Sequence, residues 1–194
     1  MTRLKNLCVY CGSSNNVDPA YFELAAQLGR SAANQGVGIV YGAGGVGLMG
    51  ALANGALAAG GKVVGVIPEH IEQWEVGHRG ISEYIVVDNM HTRKTLMFER
   101  SDAFCVLPGG IGTLEETFET LTWRQLGLHD KPIVMLNHES FWQPLLELID
   151  HMTGAGFLRP PHERLFTVAD TVPEVFRQIA EAPESEKPGD LSTV

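Results

Sequence analysis

Pro108-Gly109-Gly110-Ile111-Gly112-Thr113-Leu114-Glu115-Glu116 combines the makings of an anion site with a carboxylate suited to charge stabilisation. Gly109, Gly110 and Gly112 let a phosphate approach the main chain without meeting a Cβ. Thr113 adds a hydroxyl donor. Glu116 reads as a first-turn residue of the helix that follows, where the helix dipole favours an ionised carboxylate. On that helix Leu114, Phe118, Leu121 and Gln125 share one face and Glu116, Thr120 and Trp123 another, so Glu116 need not point into the core. Upstream, Met90-His91-Thr92-Arg93-Lys94 opens a second helix with two cations at its N-terminal end, where the dipole disfavours them. A bound phosphate or carboxylate would account for both charges.

Two more small-residue loops follow apolar runs and precede helices, Cys11-Gly12-Ser13-Ser14 and Gly42 to Gly50. Three such loops at the carboxyl ends of parallel strands would form a phosphate cradle from unpaired helix N–H groups. Gly42, Gly44 and Gly47 also fit the dinucleotide pattern G-x-G-x-x-G, but that pattern needs an acidic residue at the end of the next strand to hold the ribose hydroxyls. Here the next strand ends Val66-Ile67-Pro68, with Glu69 beyond the proline, and the motif follows the second strand, not the first. Cys8 and Cys11 stand at redox or zinc spacing, yet Cys8 lies inside a strand and no second pair completes a zinc site. The histidines are scattered without metal-site spacing. No metal is expected.

The elements that must position these residues alternate between apolar runs and amphipathic segments. Strands are expected at Leu7–Tyr10, Val37–Tyr41, Lys62–Ile67, Tyr84–Val87, Ala103–Leu107 and Pro132–Leu136, with an edge strand at Leu165–Val168. Asp18-Pro19 opens a helix as N-cap and first helical residue. Further helices run to about Ala59, from Met90 to Arg100, to about Leu126 and from Phe141 to Met152, and Thr171 to Glu174 reads as a capping box for a last one. Residues 69–82, with Trp74 and Glu75, read as an irregular loop. The fold class is α/β: a Rossmann-like, doubly wound parallel sheet with helices on both faces, in one domain over residues 1–180. The polar, proline-containing tail, 181–194, is expected to be frayed.

A chain of 194 residues with a formal charge of −9 disfavours sequence-independent binding to polymeric nucleic acid. It leaves room for a mononucleotide held by a local set of donors. No apolar run is long enough to span a bilayer, so no membrane association is expected. The opening residues do not read as a signal peptide, and three cysteines suit a reducing compartment, so the cytoplasm is the expected location.

The P-G-G-x-G-T-x-x-E run of Pro108 to Glu116, the Arg93-Lys94 pair, Cys11-Gly12-Ser13-Ser14 and Gly44-Gly45-Val46-Gly47-Leu48-Met49-Gly50 occur in the order found in the LOG ("Lonely guy") family of nucleotide phosphoribohydrolases. The chain resembles that family over roughly residues 5 to 180. The resemblance implies hydrolysis of N6-substituted adenosine 5'-monophosphates, and of AMP, to free base and ribose 5-phosphate without a cofactor. It implies Arg93 and Glu116 as catalytic residues. Substrate binding would fall to Glu75, Lys94, Gly109, Gly110, Ile111, Gly112, Thr113, Leu114, Glu115 and Thr122. It also implies a homodimer with sites near the interface. Two other readings attach to similar proteins. One is a non-catalytic carrier of nucleotide or molybdenum cofactor. The other is a lysine decarboxylase, in which Lys94 would hold pyridoxal phosphate. A chain with no second domain gives the latter little support.

Overall fold

The computed structural model describes residues 4–72, 77–158 and 165–183. In chain order they form β1 (Asn6–Tyr10), α1 (Pro19–Asn34), β2 (Gly38–Tyr41), α2 (Gly47–Ala58), β3 (Val63–Pro68), α3 (Glu69–Glu72) and β4 (Glu83–Val87). There follow α4 (Met90–Glu99), β5 (Ala103–Val106), α5 (Ile111–Gln125), β6 (Ile133–Leu136), a 3-10 turn (His138–Ser140), α6 (Gln143–Gly154), β7 (Thr167–Ala169) and α7 (Val172–Glu181).

All seven strands pair in parallel in the order β4-β3-β2-β1-β5-β6-β7. The chain first winds outward from β1 to β4, then restarts at β5 on the other side of β1. That reversal makes the β1–β5 boundary the topological switch point, where open α/β sheets leave a crevice beyond the strand carboxyl ends.

Strand side chains alternate between two cores, as a pleated strand buried on both faces requires. Leu7, Val9, Ile39, Tyr41, Cys105 and Leu107 pack with Leu28 of α1, Leu52 of α2 and Val175 of α7. Cys8, Tyr10, Val40, Phe104, Val106 and Met135 pack with Met97 of α4 and Leu121 of α5. Helices α1 and α2 touch closely because Gly29 faces α2. A Cβ there would lie 2.2 Å from the Leu52 carbonyl oxygen.

The parallel sheet covered on both faces matches the sequence reading, and Asp18 caps α1, its carboxylate accepting from the Ala20 N–H at 2.8 Å. Four details differ. Residues 69–72, read as part of an irregular loop, form the short helix α3. Strand β3 runs one residue further than the expected Ile67 and ends on Pro68, opposite Val87. The edge strand β7 begins two residues later than expected and ends at Ala169. The capping box of α7 is displaced: Glu174 accepts from the Asp170 N–H, while the Thr171 side chain makes no cap bond. Residues 184–194 of the expected tail lie outside the described residues.

Candidate active site

The loops after β1 and β5 are tied to each other. Gly12 N–H donates to the Pro108 carbonyl at 3.0 Å, and Leu107 N–H to Tyr10. Over them opens a cavity of about 580 Å³. It is bordered by Gly12, Ser13 and Ser14, by Gly109 to Thr113, by Glu115 and Glu116, and by Arg93 from α4. The remaining walls are largely apolar, with Val17, Tyr21, Leu48, Met49, Ile71, Met90 and Phe141.

The expected three-loop phosphate cradle reduces to one. The first N–H groups of α2 are already taken, Gly47 by the Asn15 side chain at 2.8 Å and Leu48 by the Gly12 carbonyl at 3.0 Å. Helix α1 is capped by Asp18. Helix α5 instead has Gly110 as its N-cap, with no side-chain cap bond, and its first residues border the cavity. A Cβ added to Gly110 or Gly112 would meet nothing within 4 Å, so packing does not require glycine at either position. Both glycines border the cavity, where a Cβ-free main chain suits the approach of an anion to helix N–H groups.

Gly42, Gly44 and Gly47 make room for the protein itself. A Cβ at Gly42 would lie 2.1 Å from Arg93 Nη2, one at Gly44 2.6 Å from Met49 Sδ, and one at Gly47 2.4 Å from the Ser13 main chain. Gly47 also has φ +63°, a left-handed backbone that favours glycine. The G-x-G-x-x-G match therefore has a packing explanation.

Glu116 departs from its sequence reading. Because α5 begins at Ile111, it falls in the second turn, and it is buried at 6% exposure beside Arg93, also 6% exposed. Arg93 Nη2 sits 3.1 Å from Glu116 Oε1. Nη1 of Arg93 makes a weak contact with Met90 Sδ at 3.6 Å, and Nε is buried without a hydrogen-bond partner among the described residues. Such an orphaned donor costs free energy that a bound acceptor would recover.

Thr113, Thr117 and Thr120 join Glu116 on the buried side of α5, while Ile111 is 83% exposed and Phe118 37%. The helix thus turns its polar face inward. Thr117 and Thr120 satisfy their hydroxyls on the carbonyls one turn back, and Thr120 also meets the Tyr10 hydroxyl at 3.0 Å.

The cavity collects Arg93, Gly109, Gly110, Ile111, Gly112, Thr113, Glu115 and Glu116 from the expected site. Leu114 turns away and packs into the core beneath α5. Lys94 stands outside the cavity, its Nζ 2.6 Å from Glu115 and 2.9 Å from Glu119. The two cations that α4 carries at its start are both paired with carboxylates of α5. Thr122 is exposed on the outer side of α5 and donates to the Phe118 carbonyl. Glu75 lies outside the described residues. Tyr21, Met49, Met90 and Phe141 were not anticipated as cavity walls. Gly42, expected in a phosphate loop, instead makes room for the Arg93 guanidinium.

A family model described as "Possible lysine decarboxylase" matches residues 49–179. A cytokinin riboside 5'-monophosphate phosphoribohydrolase of Rhodococcoides fascians is 50% identical over 157 residues, 80% of this chain and 79% of that protein. One of the Arabidopsis thaliana enzymes of the same name is 42% identical over 180 residues, 93% of this chain and 83% of that protein. The chain belongs to this family, the Lonely guy family. The molybdenum cofactor carrier protein of Chlamydomonas reinhardtii has the same fold, with a TM-score of 0.70 at 22% identity over 93% of this chain and 98% of that one.

Within this Lonely guy protein no lysine lines the cavity to serve the decarboxylase reading, and Lys94 beside it is unsuited. A Schiff-base lysine must reach its carbonyl as a neutral amine. Burial pulls the Lys94 ammonium down, but its hydrogen bonds to Glu115 and Glu119 outweigh that and hold the group above lysine's ordinary range. Nor is Cys11 a nucleophile on the cavity wall. Burial, reinforced by the Glu116 carboxylate, raises its thiol well above the usual value, and Cys8 behind it is pushed up to about 12. Among the described residues, no three His, Cys, Asp or Glu side chains are grouped to hold a metal, and no helix is long and apolar enough to cross a membrane.

Proposed function

We propose that this protein hydrolyses the N-glycosidic bond of adenosine 5'-monophosphates, N6-substituted ones and AMP itself, releasing free base and ribose 5-phosphate. The observation that carries the reading is the buried Arg93–Glu116 pair, 3.1 Å apart, at an otherwise largely apolar cavity beside the uncapped start of α5. The relatives named above support the substrate class.

The 5'-phosphate binds at Gly110 to Thr113, where main-chain N–H groups and the helix dipole favour an anion. As the C1'–N9 bond breaks, its electron pair leaves with the purine and positive charge builds on the ribose. The Glu116 carboxylate stabilises that charge, or holds the ribose hydroxyls. Arg93 steadies the departing base through donors that Glu116 leaves free. Water adds a hydroxyl to C1', and its proton ends on the base. The walls of Met49, Ile71, Met90 and Phe141 suit an apolar N6 substituent.

The chain acts in the cytoplasm as a homodimer with sites near the interface. Supporting the dimer, Ile111, Phe118 and Leu126 form an exposed apolar stripe along α5, with Thr122 on it. Thr122 reaches a nucleotide only across such an interface.

Chromatography of incubations with AMP, N6-isopentenyl-AMP and the corresponding nucleosides tests the proposal. Base release from the monophosphates but not the nucleosides is expected. Tight nucleotide binding with no release from any substrate would favour the carrier reading.

A further inference from the structure

Two consecutive residues of α4 meet three carboxylates of α5. Arg93 faces Glu116 inside the cavity, and Lys94 faces Glu115 and Glu119 just outside it. The Lys94 side chain is 11% exposed, and two of its three N–H donors already go to carboxylates, at 2.6 and 2.9 Å. Glu115 and Glu119 stand one helical turn apart, so a single ammonium bridges both and fixes α4 along the α5 axis. The two helices also meet farther along, where the Phe98 and Trp123 rings pack edge to face with centroids 5.3 Å apart, but at the cavity end the ion pairs join them. Arg93 and Met97 are the buried residues of α4, and only Met97 is apolar.

Resting on the hydrolase reading above, we propose that Lys94 is a positioning residue and not a substrate ligand: its bridge to Glu115 and Glu119 sets the register in which the Arg93 guanidinium meets Glu116. A lysine serving the phosphate would need donors aimed at the Gly110–Thr113 loop. Lys94 instead directs two of its three to carboxylates of α5, Glu115 at the cavity border and Glu119 beyond it. The direction in which its ammonium titrates agrees, since the bridge holds it in the charged form that a strut requires. The cost of losing the strut falls on chemistry more than on binding, because small misplacements of a catalytic pair are expensive in rate.

Lys94→Met, Lys94→Arg and Glu119→Gln should be compared for kcat, KM and the equilibrium affinity for ribose 5-phosphate, with melting followed in parallel. The strut predicts that Lys94→Met lowers kcat about tenfold or more, with affinity for ribose 5-phosphate within about threefold. Lys94→Arg should recover most of the rate. Glu119→Gln, which removes half of the bridge without touching the cavity, should lower kcat by a smaller factor. If Lys94→Met does not fold, Glu119→Gln decides alone, and an unchanged kcat overturns the proposal. A tenfold loss of ribose 5-phosphate affinity in Lys94→Met would make Lys94 a ligand and overturn it, as would unchanged kcat and affinity together. The affinity readout is independent of turnover. A wild-type protein that releases no base refutes the hydrolase reading, not the placement of Lys94.

Discussion

Arg93 and Glu116, 23 positions apart in sequence, meet at 3.1 Å in a place where each is 6% exposed. Their charges are stable there only as a pair, since a buried ion without its partner carries a large desolvation cost. Glu116→Ala should therefore cost stability as well as activity, about 3–5 kcal/mol by the usual cost of breaking a buried pair. The double change Arg93→Met with Glu116→Met should cost much less than the sum of the single changes. Denaturant melts of the three variants measure this, and simple additivity would mean the two charges are not coupled.

Gly112 separates binding from folding. It stands at the start of α5 with open space where a side chain would go. Gly112→Ala should keep or slightly raise the melting temperature, as alanine is the better helix former. It should raise KM for AMP at least tenfold by obstructing the phosphate. Steady-state kinetics with a thermal melt check both halves, and an unchanged KM would remove this loop from the phosphate site.

His129 gives the fold an acid limit. Burial lowers its pKa below the ordinary 6.5, opposed by its hydrogen bond to the Thr120 carbonyl. The unfolded chain takes up a proton near pH 6.5 while the folded one resists. Stability contributed by neutral His129 is thus complete above pH 6.5 and declines as pH falls below it. Melting temperatures between pH 7.5 and 5 should show this decline, with a shallower slope for His129→Gln. Equal slopes would assign the acid sensitivity to other groups.

Ile111 at 83% and Phe118 at 37% exposure are costly in water on an isolated chain. Phe118→Asp should shift the protein from dimer to monomer by light scattering at micromolar concentration. If the wild-type protein is itself a monomer, the interface assigned to α5 is wrong, and Thr122 loses its route to a nucleotide.

The sheet and the helix starts were legible because they follow local rules. Asp18-Pro19 and the glycine turns state where helices begin, and the apolar runs Leu7–Tyr10 and Ala103–Leu107 state which strands are buried. The Pro108–Thr113 run was also legible as a small-residue loop opening a helix, and it borders the cavity. What α5 does with its faces was not. A helix bearing Thr113, Glu116, Thr117 and Thr120 on one side looks solvated there, yet tertiary packing buries that side against β1 and α4. The position of Glu116 was misjudged by one turn because the Gly110 cap, a backbone conformation, sets the count. The roles of Lys94 and Gly42 depend on contacts across 21 and 51 residues, which no local pattern encodes.

The most direct test of the account is the rate of base release from N6-isopentenyl-AMP by Glu116→Gln beside the wild type, with AMP binding measured on both. Glutamine keeps the shape of the side chain and removes the charge that the oxocarbenium-like state needs. The account predicts that AMP still binds while release falls at least a hundredfold. Release near the wild-type rate from a folded, nucleotide-binding Glu116→Gln protein would contradict it.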